Sequence, residues 1–142
     1  MDSNSIKYID LITDIRPEQI ADGFFEGWAT PLTSNEHYSL LSRADYFVVA
    51  VDHNSVIGFA TALSDGMLTA YIPFLEVLPQ YRHHGIGTEL IKTITKKFQG
   101  LYMVDVLCDE NVLPFYESLG FAAVSGACLR NFRWRESLIP RA

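Results

Sequence analysis

The sequence is short of cysteine, of basic residues and of long apolar runs, and each shortage excludes something. Its two cysteines, Cys108 and Cys128, stand 20 positions apart with no CxxC and no His/Cys cluster, so neither a zinc site nor a disulfide framework is indicated. Two reduced, mostly buried thiols are expected, and no metal. The longest uninterrupted apolar run is Tyr46–Val51, far below the ~20 residues that span a bilayer. The opening Met1-Asp2-Ser3-Asn4-Ser5 lacks the basic and apolar regions of a secretory signal. A soluble, cytoplasmic protein without a membrane partner is expected. Eleven Lys and Arg against 17 Asp and Glu give a net charge of −6, the wrong sign for wrapping nucleic acid.

What is present is apolar side chain: 49% of the 142 residues are hydrophobic and 13% aromatic. That is enough for one core without covalent staples, and residues 1–142 are expected to form a single domain. The charge is unevenly divided. Positions 1–79 hold three basic residues (Lys7, Arg16, Arg43) and eleven acidic ones, whereas positions 80–142 hold eight basic and six acidic. The second part therefore suits an anion.

Periodicity orders the elements. Ile6–Thr13 alternates as a half-buried strand. Pro17 sits where a first helical turn tolerates it, and Ile20, Phe24, Phe25 and Trp28 follow at helical spacing, which predicts a helix over 17–28. Ser34 and Asn35 can cap a second helix reaching Arg43. Three strands in a meander are predicted over 46–51, 56–63 and 67–77, separated by Asp52-His53-Asn54-Ser55 and Ser64-Asp65-Gly66. Ile86, Leu90, Ile91, Ile94 and Phe98 then line one face of a helix over 85–99, with Lys92, Lys96 and Lys97 outside. A strand over 101–107, a short helix over 112–119 and a final strand pair over 121–124 and 127–134 complete an α+β order.

Two stretches carry chemistry. In the first, Leu75-Glu76-Val77-Leu78-Pro79-Gln80-Tyr81-Arg82-His83-His84-Gly85-Ile86-Gly87-Thr88, a strand stops at a proline and turns through glycines into a helix. The first amides of a helix lack internal partners and lie at the positive end of its dipole, so such a turn makes a phosphate cradle. Glycine at 85 and 87 removes the Cβ atoms that would hold a phosphate off. The same pattern also begins many helices for structural reasons alone. It is neither GxxxxGK[ST] nor GxGxxG after a first strand. His83 and His84 are adjacent and cannot face one metal as an i, i+4 pair would; a histidine does tolerate positive φ in such a turn.

In the second stretch, Asn111-Val112-Leu113-Pro114-Phe115-Tyr116-Glu117-Ser118-Leu119-Gly120-Phe121, Asn111 is a natural N-cap, Pro114 lies in the first turn and Gly120 is a natural C′ residue. Phe115, Leu119 and Phe121 read as core. Tyr116 reads either as a packing residue or as a proton donor with a reference pKa near ~10.

Together these motifs resemble the GCN5-related N-acetyltransferase (GNAT) superfamily. Its cofactor signature, [RQ]-x-x-G-x-[GA] after a strand reading Val-x-Pro, corresponds to Arg82-His83-His84-Gly85-Ile86-Gly87 after Val77-Leu78-Pro79. Its later signature corresponds to Asn111 and Phe115-Tyr116-Glu117-Ser118-Leu119-Gly120-Phe121. The resemblance implies a mixed central sheet of six to seven strands, splayed between the fourth and fifth and flanked by about four helices. It implies acetyl-CoA as co-substrate, the pantetheine pairing with backbone groups of Leu75 and Val77 as an added strand. The pyrophosphate would rest on the amides of Arg82, His83, His84, Gly85, Ile86, Gly87 and Thr88. Asn111 would contact the pantetheine arm and Tyr116 would be the acid for the CoA thiolate.

Amine attack on a thioester needs a neutral amine, a polarised carbonyl and a proton for the departing sulfur. Backbone N–H groups near Val77 are the candidates for the carbonyl. Glu76 is the candidate base, because it interrupts an apolar run; it reads equally as a solvent-facing or salt-bridged strand carboxylate, and a water relay to a more distant carboxylate is a further alternative. Arg82 reads as a phosphate contact or a solvated arginine. The acceptor, a small-molecule amine or a peptide amine, would be lined by Phe24, Phe25, Trp28, Tyr38, Asn131 and Trp134, and an acidic, aromatic first half suits a cation. The competing reading is a non-catalytic acyl-CoA-binding module on the same fold. Open sheet edges and apolar C-terminal strands also suggest a homodimer.

Overall fold

The computed structural model describes residues 5–131, 133 and 134. They fall in two compact units, Met1–Leu107 and Cys108–Ala142. The larger holds a mixed sheet of five strands in the order β1-β2-β3-β4-β5: β1 Lys7–Ile9, β2 Tyr46–Asp52, β3 Ser55–Ser64, β4 Thr69–Val77 and β5 Met103–Val106. The first four pair antiparallel and β5 joins β4 in parallel. The fold is α+β; among the described residues it has five strands where six to seven are expected and three α-helices where about four are.

β2 and β3 are continuous buried runs, Val48, Val49, Val56, Phe59 and Ala60 having no more than 0% exposure, because both faces of the sheet are covered. On one face lies the helix α2, Ile86–Thr95, whose Ile86, Leu90, Ile91 and Ile94 are buried. Gly58 of β3 admits it: a Cβ there would come within 3.3 Å of both the Leu90 side chain and the Glu76 carbonyl. A 3₁₀ turn over Lys96–Phe98 extends α2. The other face takes the helix α1, Ser34–Arg43, through its buried His37 and Leu41. Its cap is Thr33, not Ser34 or Asn35: the Thr33 hydroxyl accepts from Glu36 N–H, and the Glu36 carboxylate accepts from Thr33 N–H at 3.0 Å.

The helix expected over 17–28 does not form. Only Pro17–Gln19 makes a 3₁₀ turn, and the chain then runs irregularly with Gly23, Phe25 and Gly27 at φ of 111°, 62° and 87°. Three left-handed residues in five positions cannot propagate a right-handed helix. The aromatic residues that mimic a helical stripe serve a packed loop instead: Phe24 and Phe25 are buried, and Phe25 meets Trp28, His37, Phe59 and Phe74 with ring centroids 5.0–6.0 Å apart.

The smaller unit contains α3, Leu113–Ser118. Its N-cap is Val112, without a side-chain bond, and Asn111 is exposed: turns closed by Val112 N–H on Asp109 O and Leu113 N–H on Glu110 O carry the chain in, so the capping expected of Asn111 is not realised. Gly120, at φ 95°, ends α3. The final strand pair is absent among the described residues 121–131, 133 and 134, which are almost all exposed; β-propensity makes no strand without a partner edge. Phe132 lies outside the described residues. Both cysteines are free and exposed, against the expectation of burial, since each stands outside helix and strand. Among the described residues no helix is long and apolar enough to cross a membrane.

Candidate functional site

β5 pairs with Thr69–Ile72 only, whereas β4 continues to Val77. From Pro73 onward the β5 side of β4 has no strand partner among the described residues, which is the splay. The direction of the peptide groups there follows from one bond. Leu78 N–H donates to Ile57 O at 2.9 Å, toward β3, and hydrogen-bonding direction alternates along an antiparallel strand. The groups of Glu76 therefore face β3, and those of Leu75 and Val77 face the open side. Arg82 Nε, reaching Val77 O at 3.0 Å, uses that side.

Past Val77 the chain turns through a 3₁₀ step over Pro79–Tyr81. The Tyr81 hydroxyl donates to Asp52 Oδ2 at 2.8 Å and so ties this step to the end of β2; the second Asp52 oxygen accepts from Ser5 Oγ at 3.1 Å. The Tyr81 bond holds the Asp52 carboxyl below its ordinary range and raises the phenol. His83 (φ 67°) and Gly85 (φ 81°) are left-handed, and Gly85 is the N-cap of α2 without a side-chain bond. Thus His83 takes the positive φ a histidine tolerates. A Cβ on Gly85 would meet nothing within 4 Å, so open space lies before the helix terminus. Among the described residues no hydrogen bond engages the amides of His83, His84, Gly85, Ile86, Gly87 or Thr88. The cradle has amide donors, the positive end of α2 and room for an anion.

Glu76 is half-buried on the face of β4 that carries Phe74. Its Oε1 accepts from Phe25 N–H at 2.9 Å, and it forms no salt bridge among the described residues. Burial raises its carboxyl above the ordinary range; the Phe25 bond and the Arg82 charge act against this, and Glu26 adds to it. Arg82 spans two groups, Nη2 lying 3.1 Å from Glu26 Oε2 while Nε holds Val77 O.

Sequence reasoning passed over Glu26 and the Phe25 amide. The glycines at 23 and 27 are the one signal that the helical pattern around them fails. Of the expected acceptor lining, Phe24 and Phe25 are buried, Trp28 is 41% exposed, and Tyr38 donates its hydroxyl to Ile12 O at 3.3 Å. A cavity of about 240 Å³ lies among residues 20–24, 31–34 and His37, but its walls include neither Glu76 nor the glycine turn. The Lys92 to Lys97 face is exposed as expected, Lys97 pairing with Asp10 at 2.7 Å.

In the smaller unit Tyr116 is 3% exposed. Its phenol is pushed up to about 12, chiefly by burial and secondarily by Cys108. Gly120 N–H donates to Glu117 O and Phe121 N–H to Tyr116 O, both at 3.1 Å, and the Phe121 ring lies 5.3 Å from that of Tyr116. This is a Schellman closure with its apolar contact, and it fixes Tyr116 from backbone and ring at once. Among the described residues no group of three or more His, Cys, Asp or Glu converges as a metal site would.

The chain matches the family model for the acetyltransferase (GNAT) family over residues 12–121. It is similar to the crystal structure of a protein from Deinococcus radiodurans R1 assigned as an acetyltransferase, with 40% identity, a TM-score of 0.87 and coverage of 96% of this chain and 95% of that one. It is also similar to a GNAT-family acetyltransferase from Streptococcus pneumoniae TIGR4, with 25% identity, a TM-score of 0.72 and coverage of 89% and 98%. A curated relative, the chloroplastic GCN5-related N-acetyltransferase 3 of Arabidopsis thaliana, is 35% identical over 71 residues, which are 49% of this chain and 30% of that protein. The match thus spans less than a third of that relative's length.

Proposed function

Because the chain belongs to the acetyltransferase (GNAT) family, we propose that it transfers the acetyl group of acetyl-CoA to a primary amine by direct attack in a ternary complex. The observation that carries this reading is the half-buried Glu76 on the strand whose open edge leads into a turn of unengaged amides. That edge and turn fit the donor: Leu75 and Val77 would pair with its pantetheine, the amides from His83 to Thr88 would take its phosphates, the expected Arg82 amide being held instead by Pro79 O at 3.3 Å, and Asn111 would contact the pantetheine arm. When bound, acetyl-CoA supplies the activated thioester carbonyl.

The remaining roles fall to the chain. Glu76 takes the proton of the attacking ammonium; a carboxylate raised by burial is a better-matched base near neutrality than an ordinary one. Backbone N–H groups near Val77 polarise the carbonyl. Tyr116 is assigned the proton donor for the sulfur. A phenol at about 12 stays protonated through the physiological range, and because an ordinary thiol lies near ~8.5 it acts by hydrogen-bonding the developing thiolate rather than by complete early transfer. The acceptor is a small-molecule or peptide amine, and aminolysis of a thioester requires no metal. We read the two compact units as one catalytic domain working in the cytoplasm, without nucleic acid or membrane; the family match crossing their boundary supports this. A homodimer is proposed from the open strand edges.

The test is thiol release from acetyl-CoA across a panel of amines and peptides. Release that depends on the added amine and collapses in Glu76→Gln supports the enzyme. CoA binding with no release on any acceptor supports the non-catalytic module.

A further inference from the structure

Two links join the same pair of chain segments side by side. The backbone of Phe25 is held by the Glu76 carboxylate at 2.9 Å. The next residue, Glu26, is held through Arg82 to the carbonyl of Val77, the residue after Glu76, by contacts of 3.1 and 3.0 Å. An arginine can do this because its planar fork presents Nε and Nη2 in fixed directions; a lysine offers one point charge. The side chains of Arg82 and Glu26 are 45% and 65% exposed, so the pair does little for stability by itself. Its importance is its location, with a cation and an anion flanking the candidate base.

We propose that Glu26 and Arg82 together are positioning residues for Glu76: their clamp holds the 25–26 segment on the end of β4 and sets one anion and one cation beside the Glu76 carboxylate. This rests on Glu76 being the base. Among the described residues the titratable groups around Glu76 are Glu26 from the loop, Arg82 from the glycine turn and, beyond the Phe25 and Phe59 rings, His37 of α1. His37 is held down to about 4 by burial and is neutral where Glu76 titrates above that value. Glu26 and Arg82 are therefore the charges that tune it, with opposite signs.

The experiment needs no acceptor. Carboxyl-¹³C glutamate is incorporated into the full chain, the Glu76 resonance is identified by its loss in Glu76→Gln, and its titration midpoint is read by NMR, with the Phe25 amide as a second reporter. Glu26→Gln is expected to lower the midpoint and Arg82→Gln to raise it, each by roughly half a pH unit. A merely structural contact would not give opposite shifts. Midpoints unchanged in both variants, or shifted in the same direction, overturn the proposal while leaving the base assignment intact. Wild-type turnover in Glu76→Gln overturns the base assignment, and with it the catalytic meaning of the clamp.

Discussion

The backbone N–H of Phe25 donates to Oε1 of Glu76 across 51 positions of sequence, and this bond joins an irregular loop to the end of a central strand. It gives a carboxylate that burial would otherwise penalise one fixed partner. It leaves that carboxylate on the face of the sheet that also carries the loop's aromatic residues.

Glu76→Gln keeps an oxygen that can accept from Phe25, so the fold is expected to persist while kcat/KM falls by about 10²- to 10⁴-fold, the usual worth of a positioned base. Its effect on stability has a definite sign. The folded carboxyl is raised above its unfolded value, so the wild type loses stability as pH rises through the window between them. The variant is expected to melt higher than wild type near neutrality, and the difference to vanish below the unfolded value. Melting curves across pH check this.

Gly85→Ala places a Cβ in open space, so its cost is that of a left-handed alanine, about 1 kcal/mol. CoA binding is expected to fall by more than tenfold, because the methyl group stands before the amide cradle. Calorimetric titration with CoA and thermal melting separate the two effects.

Tyr116→Phe removes a hydroxyl for which no hydrogen bond exists among the described residues. Stability is expected to change by less than about 1 kcal/mol, while amine-dependent thiol release falls roughly 10²-fold with CoA binding retained. In the wild type, no basic limb assignable to this phenol is expected below about pH 10, since its raised value keeps the proton on. The pH profile of kcat/KM tests this.

His37 is 2% exposed and its Nε2 lacks a hydrogen-bond partner among the described residues. Burial lowers its value from 6.5 to about 4, so its folded value is depressed below the unfolded one. Stability is complete above the unfolded value and is lost as pH falls from about 6.5 toward 4, by up to roughly 3 kcal/mol. His37→Leu is expected to flatten that slope. Denaturant midpoints between pH 7 and 4 read it directly.

The legible parts of the fold were those whose pattern and packing coincide. The stripe of Ile86, Leu90, Ile91 and Ile94 faces the sheet in α2, and the turn at Gly85 with its left-handed φ was visible as a glycine before a helix. The 20–28 segment was misleading, because Phe24, Phe25 and Trp28 satisfy helical spacing while Gly23 and Gly27 prevent a helix. The final strands failed for a different reason: Val124 and Leu129 have strand propensity but are 85% and 92% exposed and pair with no strand among the described residues.

By itself the sequence determined the strand and helix order from residue 34 to residue 119, the glycine turn before α2 and the candidacy of Glu76 and Tyr116, because these depend on local periodicity, φ preference and side-chain chemistry. Only the tertiary structure decided which partner Glu76 has. Whether a strand carboxylate faces water, a cation or a backbone amide depends on which distant segment is folded over it, and here that segment is Phe25-Glu26, brought from 51 residues away. The side-chain partners of Arg82 were a matter of packing in the same way. A guanidinium is charged wherever it lies, but which carboxylate it meets is a property of packing, and it meets Glu26.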